Sequence, residues 1–162
     1  MIVAAELAGY CAAGAVETLA AGGRWVPVLA FTDAEGQRQL QQLAGHVGEV
    51  VERARVQLTT NAMDANDAVL IYASRIQQGE TSLRALLLEL RCYAWPDAQV
   101  VIAVPCTPAS AGNGLRVHSP RLLVWSGCED FEMGAVLQAF FEGVRSHDTG
   151  FAAWSAALDE SI

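Results

Sequence analysis

Between residues 67 and 105 three segments rich in aliphatic and β-branched side chains follow one another with almost nothing between them. "DAVLIYAS", "LLLELRCY" and "VVIAVP" are separated by "QQGE" and "WPDA", where Gly79 and Pro96 supply turn chemistry. A parallel pair needs a crossover of about a dozen residues or more, usually a helix. The connections here are too short for that, so the three segments are expected to form an antiparallel meander, and everything else must be arranged around it. The middle segment, 82–94, carries a competing signal: Ser82 could cap a helix, and the run from Ala85 to Arg91 has high helix propensity. The turn signals on both sides favour a strand.

The flanks alternate in character. From Ile2 to Ala21 apolar residues recur every four positions (Val3, Leu7, Cys11, Ala15, Leu19), with Glu6, Ala13 and Glu17 on the other side. That spacing predicts an amphipathic helix, weakened by Gly9 and Gly14 and ended by Gly22 and Gly23. "RWVPVLAF" and "QRQLQQL" around "TDAEG" predict a hairpin over 24–32 and 37–42, the second strand being the weaker signal. A helix is expected over 46–60, with Val47, Val50, Val51, Ala54 and Leu58 as its apolar stripe. Beyond the loop "TPASAGNG" come two short strand candidates, Leu115 to His118 and Arg121 to Trp125. A helix capped by Asp130, with Val136, Phe140 and Val144 in its stripe, and a short last helix capped by Thr149 complete the chain.

The pattern is that of one α+β domain over 1–162: a mostly antiparallel sheet of about five to seven strands with 67–105 at its centre, flanked by an N-terminal helix, a helix near 46–60 and C-terminal helices. Hydrophobic residues make up 52% of the 162 and charged residues 17%, with mean hydropathy +0.26, so some elements must bury both faces or hide apolar surface against a partner.

Charge narrows the function classes. The net charge is −8, and the ten basic residues, all Arg, are scattered from Arg24 to Arg145, the Arg-only pattern expected of a GC-rich bacterial genome. Without a basic patch to displace counterions, neither nucleic acid nor an acidic membrane surface is an expected partner. The N-terminal segment lacks a basic leader region and is interrupted by Glu6 and Glu17, and no run approaches ~18 uninterrupted apolar residues, so a cytoplasmic location is expected. Cys11, Cys92, Cys106 and Cys128 form no CxxC pair, and His46, His118 and His147 are dispersed, so neither a metal site nor a cofactor is expected.

The polar pair inside "LLLELRCY" defines the candidate site. As a strand, 82–94 directs Leu86, Leu88, Leu90 and Cys92 to one face and Leu87, Glu89, Arg91 and Tyr93 to the other. A turn at Gln78 and Gly79 would pair Leu86 with Ile71 and Leu88 with Val69, bringing Leu70 and Tyr72 to the second face, and the "WPDA" turn is expected to add Val100, Ile102 and Val104 there. Tyr72, Glu89, Arg91 and Tyr93 would then flank a shallow ligand pocket or form a structural ion-pair network. Asp67 with Glu89 and Arg91 echoes the acid, acid-x-base pattern of metal-dependent nucleases, but the register sends Asp67 to the opposite face, and an Arg stands where a tunable Lys would serve better.

No GxSxG and no phosphate loop is present. Among the tryptophans, Trp25 and Trp125 are expected in the core, while Trp95 beside Pro96 and Trp154 on the terminal helix are candidates for an interface. The expected function is a non-catalytic protein-interaction module, immunity-, chaperone- or adaptor-like, working through a protein partner or self-association. The alternative is a small-ligand binder or enzyme using Tyr72, Glu89, Arg91 and Tyr93.

Overall fold

A computed structural model describes residues 1–110 and 113–159. The order of elements is α1 (Ile2–Ala20), β1 (Val28–Thr32), β2 (Arg38–Gln42), α2 (Val47–Thr60), β3 (Asp67–Gln78), β4 (Thr81–Cys92), β5 (Gln99–Thr107), β6 (Arg116–Val117), β7 (Arg121–Ser126), α3 (Met133–Arg145) and α4 (Asp148–Ala157). The strands form one seven-stranded antiparallel sheet in the order β2-β1-β3-β4-β5-β6, with β7 also pairing β5. The meander β3-β4-β5 is its centre, and the segment that could have been helical is β4.

Register settles which side chains share a face. Ile71 lies opposite Leu88 and Val69 opposite Leu90, two positions from the pairing expected, because the hairpin turns at Gly79 and Glu80. A shift of two preserves every face. The β4–β5 connection differs in the other way: Leu90 pairs with Val100 and Leu88 with Ile102, so Val100, Ile102 and Val104 join Leu86, Leu88 and Leu90, while Val101 and Ala103 stand beside Glu89 and Leu87. Two successive turns, Trp95 N–H to the Cys92 carbonyl and Ala98 N–H to the Trp95 carbonyl, take up the odd residue that reverses the expected face.

The larger core lies between the sheet and α1, with α3 and α4 packed on α1. The buried face of α1 contains Leu7, Cys11 and Ala15 of the expected stripe but is much wider than that stripe. Ala4, Ala5, Leu7, Ala8, Cys11, Ala12, Ala13, Ala15 and Val16 are all buried, whereas Ile2 and Val3 remain exposed. A helix flanked on several sides keeps only a narrow polar strip, here the half-buried Glu6, Tyr10 and Glu17. By length and hydropathy α1 could cross a bilayer, but here more than half of it is buried as a core helix.

Its small residues explain the packing. A Cβ at Gly9 would lie 1.8 Å from the Phe140 carbonyl oxygen, and one at Gly143 1.9 Å from the Glu6 carbonyl oxygen, so α1 and α3 touch backbone to backbone at two glycines. The glycines read as weaknesses of the first helix are its contact surface. The His147 ring fills the space over Gly14, stacks on Tyr10 at 4.5 Å, and caps α4 by accepting the Gly150 N–H at Nδ1. The expected caps Asp130 and Thr149 therefore give way to Glu132 and His147 at the N-cap positions.

On the other side of the sheet α2 lays Val51, Ala54 and Leu58 over Leu29, Ala68, Leu70 and Tyr72, forming a second, smaller core. Asn61 ends α2 in the left-handed conformation (φ 51), its side-chain amide bonding both backbone groups of Ala65.

Because a backbone carbonyl cannot move aside, Gly143→Ala is expected to cost about 3 kcal/mol through overpacking. Gly134→Ala, in the same helix but with nothing near the added Cβ, should be neutral or stabilising by up to about 1 kcal/mol. Urea denaturation of the two variants separates these outcomes.

Candidate functional site

Glu89 and Tyr72 reach the α2 side from β4 and β3, where Leu70 is the direct partner of Glu89 and Leu87 that of Tyr72. Their polar atoms meet an arginine from above. Arg55 Nε donates to Glu89 Oε1 at 2.8 Å, Arg55 Nη2 donates to the Tyr72 hydroxyl at 2.6 Å, and that hydroxyl donates to Glu89 Oε1 at 2.7 Å. A second carboxylate, Glu52, takes Arg55 Nη1 at the helix surface. The Glu89 side chain is 13% exposed and that of Arg55 39%. Buried polar groups satisfy one another here, as a low-dielectric environment demands.

The electrostatics follow from this geometry. Burial, with the Glu89 hydrogen bond next, pushes the Tyr72 hydroxyl up to about 12. Burial likewise pushes Tyr93 up to about 12, its hydroxyl donating to the Leu58 carbonyl at 2.7 Å near the end of α2. The Glu89 hydrogen bond, ahead of opposing desolvation, holds Arg55 above its ordinary value. Arg91 stands apart from the Arg55–Glu89–Tyr72 network: among the described residues its guanidinium makes one long hydrogen bond, 3.4 Å, to the Leu90 carbonyl, and its charge acts on Tyr93.

Of the four site residues expected from the sequence, Tyr72 and Glu89 are brought together, Tyr93 clamps the same helix independently, and Arg91 pairs with neither. The carboxylate's partner is Arg55, which sequence reasoning passed over. The available signal was its position on α2, four residues after Val51 and three before Leu58, at the margin of the apolar stripe. Asp67 lies on the α1 side, as the register argument required, with its Oδ1 3.8 Å from the Met1 amino nitrogen and without a hydrogen bond.

A second region surrounds Trp95. The start of α1, the entry to β3, the exit from β4 and Phe131 enclose a depression of about 660 Å³. Trp95, 43% exposed, meets Phe131 edge-on at 5.2 Å, and Ile2 and Val3 are exposed beside it. Trp154 is placed otherwise than expected: at 3% exposure it packs against Phe140 inside the larger core, because α4 turns this residue toward α1 and α3 and leaves Phe151 exposed. Trp25 and Trp125 are half-buried against that same core.

Other reactive groups are internal. All four cysteines are free and buried. Burial pushes the Cys11 thiol up to about 12 and Cys106 up to about 11, and raises Cys128, so these thiols stay protonated at neutral pH. His118, read from the sequence as a turn residue, is buried and bonds Thr107 Oγ1 at 3.0 Å and the Asp159 carbonyl at 3.2 Å, tying β5 to the chain after α4. Among the described residues no group of three or more His, Cys, Asp or Glu side chains is placed to hold a metal ion.

Comparison of the chain with protein-family models, with curated proteins and with solved structures finds no match.

Glu89→Gln keeps the shape of the network but removes its charge, and is expected to cost about 1–3 kcal/mol; Tyr72→Phe should cost about 1 kcal/mol, and the double variant less than the sum. Urea midpoints measure all three, and additive effects would mean the two groups do not interact. The tyrosines also set an alkaline limit. Their folded values lie above the ordinary value of about 10, so the stability they contribute is complete below pH about 10 and declines as pH rises toward about 12. Thermal unfolding followed across this range, with tyrosinate absorbance as a second readout, should show a decline that Tyr72→Phe and Tyr93→Phe each make shallower.

Proposed function

We propose that this protein is a non-catalytic protein-interaction module whose contact surface is the depression around Trp95. The observation that carries the reading is the grouping of exposed apolar side chains there. Ile2 (44% exposed), Val3 (47%) and Trp95 (43%) stand together around a concave surface, with Phe131 forming one wall and exposed Met133 following it in the chain. Contiguous exposed apolar surface with a central tryptophan is what a docking anchor requires.

Charge selects the occupant. Asp67 lines the depression with its carboxylate 3.8 Å from the Met1 amino group, and none of the described lining residues is Lys, Arg or His, so the acidic character comes from the residues around the rim. Asp64, Asp97, Glu129, Asp130 and Glu132, all exposed, neighbour its lining residues in the chain. A partner segment presenting an apolar side chain beside Lys or Arg complements this surface. A second copy, with its own net charge of −8, is the less favoured occupant. The acidity also speaks against nucleic acid and membrane surfaces. Four free thiols fit a reducing cytoplasm, and an immunity protein, chaperone or adaptor would act in this way.

A photoreactive amino acid placed at position 95 in the producing cell tests the reading. One dominant adduct to a basic segment of another protein is expected, weakened by salt and lost when Ile2 and Val3 are both replaced by Ser. A self-adduct would transfer the reading to a homodimer, and no adduct above background would overturn it.

A further inference from the structure

The far end of the β3–β4 hairpin sets two arginines against each other. Arg75 and Arg84 are direct cross-strand partners, so both side chains leave the sheet on the α1 side, past the end of that helix. Like charges in this position repel. The chain has acids to spare, 18 against 10 basic residues, yet among the described residues no carboxylate pairs with either guanidinium. Arg75 is oriented by the next turn of the hairpin, donating from Nε to Ser82 Oγ at 2.9 Å and from Nη2 to the Ser82 carbonyl at 3.0 Å. Arg84 has no hydrogen bond or ion pair among the described residues.

The pair borders a cleft of about 590 Å³ with an apolar interior: Leu19 from α1, Leu86 from β4, Cys106 from β5 and Leu115. None of its lining residues is acidic. The end of α1 also borders it, and two of its terminal carbonyls are already taken, since Gly22 (φ 79) turns the chain so that the Leu19 and Thr18 carbonyls accept the Gly22 and Gly23 N–H groups at 3.1 and 2.9 Å.

We propose that this cleft binds a small amphiphilic anion, its carboxylate or phosphate head held between Arg84 and Arg75 and its apolar body laid on Leu19, Pro108 and Leu115. The volume falls within the range of small-ligand pockets, about 300–1,000 Å³. Guanidinium forks match either head group in bidentate fashion, and an anion between them turns the repulsion across the strand pair into attraction. Cys106 serves as an apolar wall, its Sγ directed to the Val104 carbonyl at 3.3 Å. The site lies at the opposite end of β4 from Trp95, so it stands or falls independently of the protein-docking surface.

Isothermal titration of the full chain with octanoate and with octyl phosphate, against 1-octanol and inorganic phosphate as controls, tests the assignment. At least one of the two amphiphiles is expected to bind saturably, at least about tenfold more tightly than 1-octanol or inorganic phosphate. Arg84→Ala should weaken that binding by about tenfold or more while leaving the circular dichroism spectrum intact. The same substitution should raise the melting temperature of the unliganded chain, because it removes the repulsion, whereas Arg121→Ala should leave binding unchanged. Which head group binds identifies the ligand class. The proposal is overturned if neither amphiphile saturates, if 1-octanol binds as tightly, or if Arg84→Ala binds like the parent chain.

Discussion

The contact on which the rest of this structure depends is the one between the backbones of α1 and α3. At Gly9 and Gly143 each helix presents a gap that the other's carbonyl oxygen occupies, leaving no room for even a methyl group. Helices this close bring Phe140, Val136 and Val144 onto an alanine-rich α1, which in turn covers the centre of the sheet. The pattern of small residues accounts for the unusual burial of α1: alanine and glycine admit neighbours on several sides where leucine would hold them off.

The α2 side is held by different physics. Its apolar cluster is small, and the helix is fixed in place by directed polar contacts, Arg55 to Glu89 and Tyr72 below it and Tyr93 to the Leu58 carbonyl. A carboxylate and two hydroxyls at such a boundary would be costly alone. Joined to a guanidinium and a helix carbonyl they become specific fasteners. Their chemistry is inward, turned to other parts of the chain.

Two outward-facing depressions lie at opposite ends of β4. Around Trp95 the surface is apolar with acidic surroundings, and beside Arg84 it is cationic with an apolar floor. The occupants proposed for them differ accordingly, a basic protein segment and a small amphiphilic anion. Reactive groups such as Cys11, Cys106 and His118 are enclosed.

Much of this was legible in the sequence. Short connections at "QQGE" and "WPDA" require antiparallel pairing, and alternation within β4 separates Leu88 from Glu89, so the meander and the faces of β3 and β4 follow from local geometry, whereas the face of β5 was the reverse of the one expected. The unequal partition of Asp67 and Glu89 follows for the same reason. Tertiary structure decided what depends on contacts between distant segments: that Gly9 is a docking point, that Glu89 pairs with Arg55 of a helix and leaves Arg91 aside, that Trp154 is internal while Trp95 is exposed, and that Arg75 and Arg84 share a cleft with α1. Periodicity in one segment states which residues share a face, but what covers that face is set by how chain segments far apart in sequence pack in three dimensions.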